Sequence, residues 1–211
     1  MKTLVDDIKF LGYTCTHPFN GFYDLRFRRK RNWILIAAIF LMVGIVAILD
    51  FYYVGMLARP WRGLFINPLF MIGTTLFPFL LFSVSNWAVT NIFDGNGKMG
   101  DILMVLAYAL VPKIIIDLIY ILLSNVIILP ELFMLNALFV VGMIIFVFLA
   151  FCGLCVVHEY SPAKCIVTLL ATAVATILIV FVGAVYIILM SRLVAMVSTV
   201  FLEISRRGVV F

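Results

Sequence analysis

Long apolar runs separated by short polar breaks make up most of this chain, and the length of each run decides its reading. Apolar residues dominate from Trp33 to Val54, Pro68 to Ile92, Asp101 to Ile128, Leu132 to Val157 and Ala163 to Met190. A helix rising about 1.5 Å per residue needs about 20 such residues to cross a hydrocarbon layer about 30 Å thick. Each run therefore predicts one membrane span, and the last pattern continues as helix to about Ile204. The expected fold is all-α, a polytopic membrane protein with a bundle of five transmembrane helices in residues 33–211. Residues 1–32 form a short cytoplasmic or interfacial N-terminal segment ahead of it.

Within that segment Leu4, Ile8 and Leu11 recur at helical spacing, which suggests a short amphipathic helix on the membrane surface or folded back on the bundle. His17-Pro18 breaks it. The next stretch, FNGFYDLRF, alternates aromatic and polar residues without helical order. Phe19, Phe22, Tyr23 and Phe27 there suit the headgroup boundary, where a ring meets lipid and water together. His17, Pro18, Phe19, Gly21, Phe22 and Tyr23 are taken as an interfacial motif. The cluster RFRRKR follows, and the expected use of so many bare charges beside a span is solvation, topology and attraction to anionic lipid.

The polar breaks hold the candidate site. Ser85 to Asp101, SNWAVTNIFDGNGKMGD, joins the second and third spans and brings together Asn86, Asn91, Asp94, Gly95, Gly97 and Asp101. Ser83, Asn86, Thr90 and Asn91 gather on one side of the second span, and lipid disfavours such a side, so it should face the interior. Asp101 should cap the third span. Lys113 and Asp117, one turn apart inside that span, should pair, because neither charge could stand alone against lipid. His158, in the loop HEYSPAK, should hydrogen-bond the facing Asp94 to Gly100 turn. Thr168, Thr172 and Thr176, beside Ala171, Ala175 and Gly183, make the last helix the candidate for a central, tightly packed position.

Composition narrows the class further. The chain is 66% hydrophobic and 12% charged, with a mean hydropathy of +1.25, which leaves no room for a separate soluble domain. Charge adds orientation, since Lys and Arg favour the cytoplasmic side of short loops. With the N-terminus inside, nine basic residues are cytoplasmic, namely Lys2, Lys9, Arg26, Arg28, Arg29, Lys30, Arg31, Lys98 and Lys164. Five, Arg59, Arg62, Arg192, Arg206 and Arg207, then lie outside with the C-terminus. A cell-membrane location with that topology is expected. The opening residues mix charges of both signs, so the first span is the expected insertion signal. Four cysteines suggest free thiols, not a disulfide framework.

Four stretches in order carry a family resemblance: HPFNGFYDLRF before the basic cluster, NWAVTNIFDGNGKMGD between the second and third spans, AYALVPKII in the third, and GLCVVHEYSPAKCI between the last two. Together they resemble the Ypt-interacting protein (Yip) domain in the compact form found in bacteria. The resemblance implies five spans and a cytoplasmic N-terminus. Eukaryotic members of that family act in vesicle traffic, bind small Rab-type GTPases and shape membranes. This chain lacks their long N-terminal region and their Asp-Leu-Tyr-Gly-Pro motif, Asp24-Leu25 being followed by Arg26. GTPase binding is therefore a doubtful inheritance, and an accessory part in a membrane complex, including one with a transporter, is the analogy left.

Other chemistries fit poorly. Gly95-x-Gly97-x-x-Gly100 follows a membrane helix where a dinucleotide fingerprint needs a buried strand. As a calcium loop, the same stretch has Lys98 in place of an oxygen ligand. Cys152, Cys155 and His158 have spacing open to zinc, but small apolar packing explains the cysteines, and no metal or cofactor is expected. No nucleophile and base stand together, so no catalysis is expected, and the basic cluster has no recognition fold that would take nucleic acid. The expected function is an integral membrane scaffold or adaptor that binds lipid or another integral membrane protein through its cytoplasmic face. The alternative is a transport component, a small permease or an accessory subunit.

Overall fold

A computed structural model describes residues 2–29, 31–58 and 67–208. Two short helices, α1 (Lys2–Thr16) and α2 (Pro18–Phe27), precede five long ones: α3 (Trp33–Tyr53), α4 (Pro68–Ile92), α5 (Met99–Leu123), α6 (Leu132–His158) and α7 (Pro162–Gly208). A 3-10 turn, Leu129–Glu131, leads into α6. All five long helices are long and apolar enough to cross a membrane. Arg59, Pro60, Trp61 and Arg62, Lys30, and the side chains of Lys2, Leu4, Ile8 and Arg207 lie outside the described residues, so their share of the charge and amphipathic-helix arguments rests on sequence alone.

The hub of the bundle is α5. It touches α1, α3, α4 and α6, and residues 104–110 are buried without a break. In lipid the apolar effect does not drive helices together, so close fit must, and Ala107, Ala109 and the facing Gly142 and Gly153 of α6 allow it. A Cβ at Gly153 would stand 2.5 Å from Val105 and 3.1 Å from the Phe22 ring. The α5 helix ends at Leu123, ahead of the expected Ile128. There Asn125 turns its amide back, donating to the carbonyls of Ile121 and Tyr53 at 2.8 Å each, and so ties the far ends of α5 and α3 together.

Two expectations about elements are corrected. Residues Pro18–Phe27 are helical, not irregular: Pro18 takes the first position, and the aromatic residues fall into two faces. Phe22 is fully buried against the core with Leu25, whereas Phe19, Tyr23 and Phe27 are each about half exposed along the other face. Phe22 is therefore a packing residue and not part of an interfacial ring. The other correction concerns α7, which is peripheral and not central. Only 17% of its apolar window is buried, against 44% for α5, and its partners are α4 and α6. Small residues permit close approach but do not supply a neighbour, and Gly183 has nothing near it.

Candidate functional site

The polar site grows from two chain reversals at the end of the bundle that carries α1 and α2. Phe93 to Lys98 joins α4 to α5, and Glu159 to Ser161 joins α6 to α7. Each reversal passes through a left-handed residue that is not glycine, Asp94 with φ 55° and Glu159 with φ 56°. The glycines serve a different purpose, since none has positive φ. A Cβ at Gly95 would stand 2.6 Å from the Tyr160 hydroxyl and 2.7 Å from His158 Nδ1, and one at Gly97 would stand 2.7 Å from the same imidazole. Their missing side chains let the turn lie flat on the ring of His158.

His158 is 2% exposed, and its Nε2 lies 3.2 Å from Asn86 Oδ1. The amide of Asn86 donates in turn to Thr172 Oγ1 at 3.1 Å. One chain of hydrogen bonds thus joins α6, α4 and α7, with the Thr172 hydroxyl donating in turn to the Thr168 carbonyl at 2.7 Å. The bond expected between His158 and the turn is replaced by this one. Tyr160 supplies the link to the turn, donating to the Phe93 carbonyl at 3.0 Å while its ring stacks on His158. Burial pushes the Tyr160 phenol up from its ordinary pKa.

The N-terminal helices are bolted across these reversals by arginines. Arg26 of α2 donates to the Asn96 carbonyl at 3.1 Å and the Val156 carbonyl at 3.5 Å, and pairs with Glu159 at 3.4 Å. Arg31 pairs with Asp101, whose second oxygen accepts from the Lys98 amide at 3.0 Å. Asp101 thus secures the start of α5 from its third position, Lys98 being the capping residue. Arg29 pairs with Asp7 of α1 at 3.4 Å and lies 3.8 Å from the centre of the Phe10 ring. Arg28 pairs with Asp24. Arg26, Arg29 and Arg31 of the basic cluster are therefore built into the fold and are not the bare, solvated charge that the sequence suggests, whereas Arg28 is largely exposed. Asp24, the partner of Arg28, is one turn away, but Asp7, Asp101 and Glu159 lie far from the cluster in the chain, which hides those pairings from sequence.

Among the expected site residues the structure unites Asn86, Gly95, Gly97 and His158, with Asp101 joined to the end of the turn through the Lys98 amide. Asp94 is exposed at the edge of the turn. Asn91 is exposed and does not join the others: five residues past Asn86 is about 140° around a helix, whereas Ser83 and Thr90 at offsets of three and four are fully buried. Lys113 and Asp117 pair as expected, but apart from the others, between the middle and the far end of α5. The waist is thus two sites and not one. At the near end, His17 and Pro18 form the corner between α1 and α2, the His17 ring stacked 5.0 Å from Tyr13. Gly21 fits where a Cβ would meet the Thr14 backbone at 2.7 Å. Arg26, Tyr160 and Thr172 were not singled out by sequence as site residues. The clue available for Thr172 was its place on the threonine ridge, and for Tyr160 its place beside His158.

Helix order, the tightly fitted Gly-rich turn under HEYSPAK, and the α2 helix ahead of the first span together frame the comparison with known proteins. No curated protein and no solved structure matches the chain. The family model described as Yip1 domain matches residues 12–202, from the middle of α1 to the last turns of α7. The chain is a membrane protein with five candidate spans and belongs to the Yip1 domain family.

Proposed function

We propose that this protein is an integral membrane scaffold or adaptor, lying in the cell membrane with its N-terminus in the cytoplasm and binding a membrane partner through the face built by α2 and the two reversals. The observation that carries this reading is the clamp at Arg26. A helix fixed to both reversals by one half-buried guanidinium holds its outer residues in a set position, and those residues are Phe19, Tyr23 and Phe27 at four-residue spacing, each about half exposed. Preformed aromatic rows cost little side-chain entropy on binding and are common at interaction hot spots. In this reading the chain is not an enzyme, needs no cofactor or nucleic acid, and meets anionic lipid through Arg28, the most exposed of the arginines that pair on this face. Affinity capture of the full chain in mild detergent, with and without Phe19→Ala, Tyr23→Ala and Phe27→Ala together, is the test. A partner membrane protein in fixed ratio that is lost from the triple variant, with the melting temperature kept, supports the reading. An identical set of co-purifying proteins would refute it.

A second reading, a transport component or accessory subunit of a transporter, is favoured by one observation. Lys113 and Asp117 line a cavity among the spans instead of being packed away between helices. Ionisable groups in lipid are costly and commonly mark ion or substrate routes. Uptake by the purified protein in liposomes is the measurement that separates the two.

A further inference from the structure

At the end of the bundle away from α1 and α2, the last helix outruns its neighbours. The bond from Asn86 to Thr172 sets α4 and α7 level at those residues. The two helices run in opposite directions, so counting back to Pro68 along α4 and equally far forward along α7 reaches Met190. The reversal at Glu159 to Ser161 gives the same level from α6, whose first residue, Leu132, by the same count lies opposite Ile188. From Ser191 to Gly208 the helix continues past the starts of both neighbours, for about 27 Å at about 1.5 Å per residue. Residues 191–206 are exposed throughout.

An apolar side chain facing lipid needs no protein partner, but one carried beyond the spans does. Leu193, Val197, Val200 and Ile204 in this stretch are each about half exposed or more. Laying them on the headgroup layer would take a sharp bend, and residues 184–207 hold no proline or glycine to make one. The α7 helix is unbroken across them. Polar residues come here in pairs, Ser191-Arg192, Ser198-Thr199 and Ser205-Arg206, that repeat every seven residues. Ser191, Ser198 and Thr199 turn their hydroxyls back on their own helix, donating to the carbonyls of Ile188 and Ala195. On the opposite side Met190, Leu193, Val197, Val200 and Ile204 follow one another at alternating offsets of three and four. A lone straight helix drifts by about 20° per seven residues against such a pattern, so a fixed seven-residue repeat suits two helices wound round each other.

We propose that residues 190–204 of α7 pair with the same residues of a second copy of this chain. Copies in one membrane share one topology, so the two helices run parallel. A two-fold axis along the membrane normal then sets each seam residue against its own counterpart. Val197 and Ile204, branched at Cβ, share one seam position and Leu193 stands at the other, a combination that favours two strands. Arg192 and Arg206 lie on the outer side, away from their copies, and Arg207 takes the next seam position and ends the seam. The inference is independent of the scaffold reading, which concerns the opposite end of the bundle.

The test is disulfide cross-linking of the full chain in liposomes with copper phenanthroline as the oxidant. Every variant carries Cys15→Ser, because the other three cysteines are buried. Val197→Cys and Ile204→Cys are expected to give linked dimers at least tenfold more readily than Ser198→Cys on the outer side. Light scattering in mild detergent should find a dimer for the wild-type chain and a monomer for Val197→Glu with Val200→Glu. The circular dichroism of that variant should be unchanged, since both side chains are exposed in the single chain. The proposal is overturned by a wild-type monomer, by equal cross-linking at Ser198→Cys, or by a dimer that survives the two glutamates. A monomer whose Val197→Cys is shielded from an impermeant thiol reagent in liposomes would assign the segment to the lipid surface and overturn the pairing as well.

Discussion

Gly97 illustrates how single residues set the geometry of the near-end site. Its backbone is ordinary and its constraint is the imidazole of His158 lying where a methyl group would go. Gly97→Ala should therefore push His158 off Asn86 and lower stability by about 1–3 kcal/mol, the usual cost of overpacking, read as a fall in melting temperature in detergent. Asn86→Leu removes the link to Thr172 and His158 together. Hydrogen bonds between membrane helices are modest, so a loss of about 1 kcal/mol is expected, and an unchanged melting curve would count against the network. Arg26 should matter more. Arg26→Ala leaves two carbonyls without their charged donor and should cost about 2 kcal/mol, whereas Glu159→Gln, at a half-exposed ion pair, should cost well under about 1 kcal/mol. Equal losses in the two variants would mean that the ion pair, and not the carbonyl bonds, fastens α2.

Among the elements, α2 and α7 show where sequence patterns stop being informative. The five spans were legible because twenty apolar residues in a row have few fates, and the inward side of α4 was legible because Ser83, Asn86 and Thr90 repeat with the helix. The α2 helix was not, because its buried residues, Gly21, Phe22 and Leu25, are few and lie among aromatics that face outward. The position of α7 was misread for another reason. Its threonine ridge is fully buried only as far as Thr172; beyond it Ala175 and Thr176 are half-buried, and a Cβ at Gly183 would meet nothing. Two substitutions separate these roles. Thr172→Val should lower the melting temperature through the Asn86 bond, while Gly183→Leu, in open surroundings, should leave it unchanged. A large loss from Gly183→Leu would restore α7 to a packed position.

For the whole molecule, Arg26, Arg29 and Arg31 both contribute to the charge bias and fasten the N-terminal helices. Neutralising RFRRKR should therefore do two things, mixing the orientation and loosening α1 and α2, whereas a topology signal alone would do only the first. A cysteine at Asn96 should be labelled by an impermeant reagent only from the cytoplasmic side, and labelling from outside would reverse the orientation. The central claim is that α2 is a fixed part of the membrane domain and not a helix resting loosely on lipid. Hydrogen exchange of the full chain in detergent, followed over residues 18–27, tests it most directly. The account predicts protection that approaches that of residues 101–110 in α5, lost on Arg26→Ala. Exchange of residues 18–27 within seconds in the wild-type protein, with α5 still protected, would contradict it.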